Sequence, residues 1–133
     1  MSAIQEKKKQ INIVVVDDSE FSRKTIGQIL TEDGYNVVGD AGSAKDAVKV
    51  MGTVKIHLMI IDVVLPEVSG IEFAEQIKEN FKDMAIVMIS SLRQEQIVIE
   101  SISAGAWDFI QKPFSPSTLL DSIERVAQEI SLE

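Results

Sequence analysis

Five short apolar runs, each followed by a segment with helical spacing, limit the possible folds of this chain more than any other feature. The first run, "INIVVV" at residues 11–16, is continuous and β-branched, which is typical of a strand covered on both faces. The segment after it places Phe21, Ile26 and Leu30 on one helical stripe. Because the same alternation continues along the chain, it predicts an α/β domain with a doubly wound, five-stranded parallel sheet and five helices.

Length and composition favour a single domain in the cytoplasm. The chain has 133 residues, of which we expect 1–10 to form a flexible, solvated tail and 11–133 to fold. The apolar runs are too short for membrane insertion, no secretory signal is present, and the lack of cysteine fits a reducing compartment. A net charge of −8 argues against nucleic acid as the main partner.

Polar residues stand directly after four of the predicted strands, namely Asp17, Asp18, Asp62, Ser90 and Lys112. The carboxyl ends of parallel strands share one edge of the sheet, and ligands of such folds bind at that edge. Three carboxylates brought together repel one another, so their convergence requires a compensating cation. Oxygen ligands without nearby histidine or cysteine suit a hard ion, Mg²⁺ or Mn²⁺.

This set of groups predicts phosphoryl transfer to a carboxylate. A metal ion and a lysine ammonium neutralise phosphoryl oxygens while a carboxylate oxygen attacks in line. Aspartyl phosphates are known covalent intermediates of this kind. Asp62 ends a buried strand and is followed by Pro66 and Gly70, which predict a rigid turn behind the acid.

Four stretches of the chain resemble bacterial response-regulator receiver domains, in the family's order: "VVVDDSEFSR", "IIDVVLPEVSG", "MISS" and "DFIQKPF". Within that family the chain is most similar to stand-alone chemotaxis regulators of the CheY type. The resemblance implies a flavodoxin-like fold with strand order 2-1-3-4-5. It also implies a signalling domain that accepts a phosphoryl group rather than an enzyme with turnover.

The resemblance assigns roles at the metal site. Asp62 is expected to be the phosphoacceptor and, with Asp18, to ligate Mg²⁺ directly. The backbone carbonyl of Val64 is expected to complete the protein's ligands, and Asp17 to act mainly through metal-bound water. This metal would be held by one or two direct carboxylates because Mg²⁺ keeps several of its waters.

The remaining roles concern the switch and the output. Lys112, with a cis bond to Pro113, is expected to supply the ammonium, and Ser90 to donate its hydroxyl to a phosphoryl oxygen. Phe109 is expected to turn inward once Ser90 moves, as a second part of the switch. The output surface is expected on the helix after the fourth strand, the fifth strand and the last helix, and it includes Ile97, Ile99, Trp107 and Phe109.

The implied partners are a CheA-like sensor histidine kinase, a target such as the flagellar motor switch, and a phosphatase. A phosphorelay intermediate or a regulator of another pathway is the alternative. A haloacid-dehalogenase-like phosphatase is a weaker alternative because Val64 stands where that chemistry needs a second acid. A flavodoxin-like cofactor binder would present a hydroxyl-rich or glycine-rich loop to phosphate where "DDSEFS" stands here. A pseudo-receiver scaffold is expected to lack some of these residues.

Overall fold

The computed structural model describes residues 2–132 and confirms the predicted α/β architecture. The strands are β1 (Asn12–Val16), β2 (Asn36–Ala41), β3 (Leu58–Asp62), β4 (Ala85–Ser90) and β5 (Asp108–Gln111). The helices are α1 (Ala3–Lys8), α2 (Glu20–Glu32), α3 (Ala44–Met51), α4 (Gly70–Asn80), α5 (Glu95–Ser103) and α6 (Pro116–Glu129). Within this part of the chain, no helix combines the length and apolar character needed to cross a bilayer.

The five strands form one parallel sheet in the order β2-β1-β3-β4-β5, as the resemblance implied. Successive residues of a strand point to opposite faces, so each central strand contributes to two cores. Val14 and Met59 lie in the core covered by α3, α4 and α5. Val15 and Ile60 lie in the core covered by α2 and α6. This two-sided burial explains why the strand sequences are continuously apolar.

Serines cap four of the five helices that begin at the carboxyl edge of the sheet. The hydroxyl oxygens of Ser19, Ser43, Ser69 and Ser115 each accept a hydrogen bond from a backbone N–H in the first turn of the helix that follows. Such caps satisfy N–H groups that lack a partner within the helix. They fix the start of α2 behind Asp17 and the start of α4 behind the loop that follows Asp62.

The N-terminal segment differs from the predicted flexible tail, because it forms α1 and brings the number of helices in residues 2–132 to six. A capping box that begins at Ser2 starts this helix. Lys8, expected to be solvated, is only 8% exposed. Its Nζ lies 2.9 Å from Asp33 Oδ2 and 5.3 Å from the centroid of the Tyr35 ring. The sequence of residues 1–10 has no apolar pattern that predicts a packed helix. Asp33 and Tyr35, the partners of Lys8, lie more than 20 residues further along the chain, so the burial of Lys8 was not predicted.

Phe21 was predicted on the buried stripe of its helix, and this prediction was wrong. Ile26 and Leu30 are buried, whereas the Phe21 side chain is 80% exposed. At 3.6 residues per turn, position 21 lies roughly 140° around the helix from position 26. The buried face of α2 is therefore set by its second half.

His57 supplies a pH-dependent contribution to stability. Its Nδ1 accepts a hydrogen bond from the Asn12 N–H at 2.9 Å, which requires the neutral imidazole. Burial, and then the charge of Lys55, lowers the pKa of His57 below its ordinary value of 6.5. As the pH falls below that value, the unfolded chain takes up a proton that the folded chain resists, so the free energy of unfolding decreases.

We therefore expect stability to fall between pH 7.5 and pH 5.5 by up to about 1 kcal/mol through this group, because the imidazole is partly screened by solvent. Urea unfolding across this range measures the slope. His57→Gln, which does not titrate there, is expected to flatten the profile relative to the wild type. Parallel profiles for the two proteins would contradict this role of His57.

Candidate functional site

The strand register brings the predicted polar residues to one edge of the sheet. Val16 of β1 lies opposite Ile61 of β3, so the next residues, Asp17 and Asp62, are neighbours. The last residue of β4, Ser90, lies opposite Gln111, directly before Lys112. The order of strands and helices is therefore sufficient to predict that these residues meet at the carboxyl edge of the sheet.

Lys112 joins the two buried acids. Its Nζ donates hydrogen bonds to Asp17 Oδ2 at 2.7 Å and to Asp62 Oδ2 at 2.8 Å. Burial alone lowers the pKa of the Lys112 ammonium, but its hydrogen bonds to Asp17 and Asp62 outweigh burial and place this pKa above its ordinary value. The amine therefore stays protonated, and it holds both carboxylates at one point of the rim.

Asp62 is held at both of its oxygens. Oδ1 accepts the Val64 N–H at 2.9 Å, and Oδ2 accepts the Lys112 ammonium. Burial nevertheless raises the pKa of the Asp62 carboxyl and outweighs the Lys112 ammonium and the Val64 N–H, which act in the opposite direction. The Lys112 ammonium therefore offsets only part of the cost of keeping the Asp62 carboxylate charged in a buried place.

Asp17 is fully buried, and three further groups fix it. Its Oδ1 accepts the Ser19 N–H at 2.9 Å, and its own N–H donates to the Ala41 carbonyl at 3.0 Å. The Arg23 guanidinium donates to the Asp17 carbonyl at 2.8 Å. Arg23 lies within the stretch that carried the family resemblance, but no pattern in the sequence predicts this contact.

Asp18 is exposed next to Asp17, and its carboxylate does not form a three-acid cluster with Asp17 and Asp62. Among residues 2–132, no three histidine or acidic side chains are arranged as a ready metal site. The donors nevertheless fit Mg²⁺ chemically, because they are oxygens and three carboxylates exceed the charge of one ammonium. Mg²⁺ also keeps several waters, so it does not need three protein carboxylates as direct ligands.

The turn behind Asp62 is tight, as Pro66 and Gly70 predicted. The Val68 N–H donates to the Pro66 carbonyl at 2.8 Å, and Glu67 between them has a φ of 69°. A φ in this region is uncommon for a residue other than glycine. A Cβ on Gly70 would lie 2.0 Å from the carbonyl oxygen of Asp62, so the start of α4 approaches the acid more closely than any side chain permits.

Ser90 and Phe109, the two predicted switch residues, lie on the neighbouring strands β4 and β5. Ser90 is buried at the end of β4, and its Oγ accepts the Leu92 N–H at 3.0 Å. Phe109 in β5 is half-buried and packs against the core that contains Met88. The Lys112–Pro113 peptide bond is cis, as the resemblance implied.

Only some residues of the predicted output surface are exposed. Ile99 is 50% exposed and Trp107 is 41% exposed, whereas Ile97 is half-buried and packs against the core. Val98 and Ile102 of α5 are also exposed, although the sequence did not single them out. The exposed apolar side chains therefore lie on α5 and directly before β5.

Comparison with known proteins defines the class to which this site belongs. The family model described as "Response regulator receiver domain" matches residues 13–124, and the chain belongs to this family. Among curated proteins, the chain is similar to the chemotaxis protein CheY of Thermotoga maritima, with 34% identity over 87% of this chain and 97% of the relative. The chemotaxis protein CheY of Bacillus subtilis is 36% identical over 85% of this chain and 94% of the relative.

A solved structure gives the same result. The chain is similar to the CheX-CheY-BeF3-Mg complex from Borrelia burgdorferi, with a TM-score of 0.83 and 32% identity. The match covers 87% of this chain and 88% of that one. The chain is therefore a two-component receiver domain of the CheY-like group.

Proposed function

We propose that this protein is a CheY-like response regulator that accepts a phosphoryl group on Asp62 from the phosphohistidine of a sensor histidine kinase. The observation that supports this most is the bridge of Lys112 Nζ to Asp17 and Asp62 at the rim of the sheet. In the reaction the P–N bond of the donor breaks and a P–O bond to Asp62 forms. The ammonium stabilises the charge on the transferring group.

Mg²⁺ is the proposed cofactor, and Mn²⁺ is its chemical alternative. The oxygens of Asp17, Asp18 and Asp62 and the carbonyl of Val64 would hold it, with water completing the octahedron. The ion would neutralise phosphoryl oxygens during transfer. The excess of carboxylates over ammonium at the rim supports this assignment.

The proposed output is binding of another protein through the surface that contains Ile99, Trp107 and Phe109. Phosphorylation adds charge at Asp62, which would draw the Ser90 hydroxyl toward the phosphoryl group and let Phe109 move inward. The apolar side chains exposed on α5 support a protein target. The names of the similar proteins support chemotaxis as the pathway. The family resemblance implies a CheA-like kinase, the flagellar motor switch and a phosphatase as the partners, and the cytoplasm as the location. A phosphorelay step or another pathway remains the second candidate.

A binding experiment tests the output. The protein activated with Mg²⁺ and beryllofluoride is expected to capture a target from a lysate of its own organism, and the untreated protein is not. Ile99→Arg, on the exposed surface of α5, is expected to lose the target while still taking up beryllofluoride. Capture that does not depend on activation would contradict the proposal, and the identity of the target decides between motor control and another pathway.

Two apolar residues, Val64 next to Asp62 and Leu92 next to Ser90, predict a long-lived acyl phosphate. Val64 is 53% exposed and Leu92 is half-buried beside Ser90, and neither can orient an attacking water. We expect Val64→Asn and Leu92→Glu each to speed phosphate loss roughly tenfold, a change of about 1.4 kcal/mol in the barrier. Release of phosphate after removal of the donor measures this rate.

Val48→Asn is the matched control, because Val48 is 56% exposed on α3. It is expected to keep the wild-type rate. Unchanged or slower hydrolysis in the Val64 and Leu92 variants would show that these residues do not shield the acyl phosphate.

A further inference from the structure

The side-chain amide of Gln111 contacts three backbone carbonyls at the end of the sheet. Its Nε2 lies 3.1 Å from the Ser90 oxygen, 3.2 Å from the Leu92 oxygen and 3.3 Å from the Lys112 oxygen. All three neighbours are acceptors, so the NH₂ group and not the amide oxygen must face them. Gln111 therefore connects Ser90 at the end of β4, Leu92 in the loop that follows β4, and Lys112 directly after β5.

The loop that contains Leu92, residues 91–94, has few other hydrogen bonds between its backbone and side chains. The Leu92 N–H donates to Ser90 Oγ at 3.0 Å. Gln94, the N-cap of α5, makes no side-chain capping bond. The loop is thus held at Leu92 from two sides, by Ser90 Oγ at its N–H and by Gln111 at its carbonyl.

These contacts favour the resting arrangement of Ser90. If the Ser90 hydroxyl turns toward a phosphoryl group on Asp62, the Leu92 N–H loses its partner unless the loop shifts. Such a shift removes the Leu92 carbonyl from the Gln111 amide. Because a buried N–H or C=O without a partner is costly, the two bonds resist the change together.

We propose that Gln111 is a positioning residue that latches the loop 91–94 in the resting state and so opposes phosphorylation at Asp62. This inference rests on the proposed function. A purely structural role predicts that loss of Gln111 weakens phosphorylation or beryllofluoride binding at Asp62. Loss of the latch is instead expected to strengthen it.

Beryllofluoride, titrated at fixed Mg²⁺ and followed by NMR, tests the latch. Gln111→Leu keeps most of the side-chain volume and removes the donor. We expect it to bind beryllofluoride about fivefold more tightly than the wild type, since about 1 kcal/mol is typical of one hydrogen bond. Gln96→Leu, the same change on the exposed face of α5, is expected to bind with wild-type affinity.

Amide hydrogen exchange of the untreated protein gives a second readout. The Leu92 N–H is expected to lose protection in Gln111→Leu but not in Gln96→Leu. If Gln111→Leu fails to fold, Gln111→Val, a residue favoured in strands, takes its place with the same expected gain. Wild-type protein that does not bind beryllofluoride would overturn the proposed function. Wild-type protein that binds, with an equal or weaker affinity in the Gln111 variant, would overturn the latch alone.

Discussion

Asp62→Asn is expected to abolish phosphorylation by acetyl phosphate in the presence of Mg²⁺. An amide oxygen is a far weaker nucleophile than a carboxylate, and the variant removes one of the two acids held by Lys112. Asp17 is not expected to replace it, because the Asp17 side chain is only 1% exposed, whereas that of Asp62 is 10% exposed and within reach of a phosphoryl donor. Mass spectrometry of the intact protein measures the phosphoryl group as a labile gain in mass.

Asp83→Asn is the matched control, since Asp83 is an exposed aspartate just before β4, at the opposite edge of the sheet. It is expected to take up phosphate like the wild type, and a metal chelator is expected to prevent the gain in both. Labelling of Asp62→Asn at the wild-type rate would place the phosphoacceptor elsewhere. Steady hydrolysis of phosphate esters by the wild type would favour the phosphatase alternative.

Gly70→Ala is expected to have the largest effect on stability. The added Cβ would lie 2.0 Å from the Asp62 carbonyl oxygen and 3.0 Å from the Val63 Cα, which are backbone atoms that cannot rotate away. Relief requires α4 to move away from β3, at a cost of roughly 3 kcal/mol, the upper range for overpacking. Because the same shift displaces Asp62, phosphorylation is expected to fall as well. Urea unfolding and acetyl phosphate labelling measure the two effects.

Gly27→Ala separates a general effect of the substitution from this close approach. Gly27 lies within α2, and its added Cβ would meet only Val37 Cγ1 at an ordinary 3.9 Å. We expect this control to stabilise the protein by up to about 1 kcal/mol, the usual advantage of alanine within a helix. A Gly70 variant as stable as the wild type would contradict the packing of α4 against the Asp62 backbone.

The sequence predicted the sheet and the grouping of polar residues because both depend on order along the chain. Alternating strands and helices imply a parallel sheet, and a parallel sheet places Asp17, Asp62 and Lys112 at one edge. No knowledge of side-chain packing is needed for that step. The strand register brings Lys112 close to both acids, and its side chain spans the remaining distance to them.

Other features depend on contacts that leave no pattern in the sequence. Lys8 pairs with Asp33, which lies 25 residues away along the chain. Gln111 donates to backbone carbonyls, which every residue has, so the sequence does not reveal this contact. Similarly, Ile97 and Ile99 are equally apolar, and only the rotation of α5 against the sheet decides that Ile99 is exposed. Such features are set by tertiary packing and were therefore missed or left open.

Reduction of the phosphorylated protein with borohydride, followed by peptide mapping, identifies the residue that carries the phosphoryl group. This reagent converts an aspartyl phosphate to homoserine, so it marks the acid that carried the phosphoryl group. We expect homoserine at position 62, and only when Mg²⁺ was present during labelling. Homoserine at position 17 or 18, or an acid-stable phosphate on Ser90 with position 62 unchanged, would contradict it.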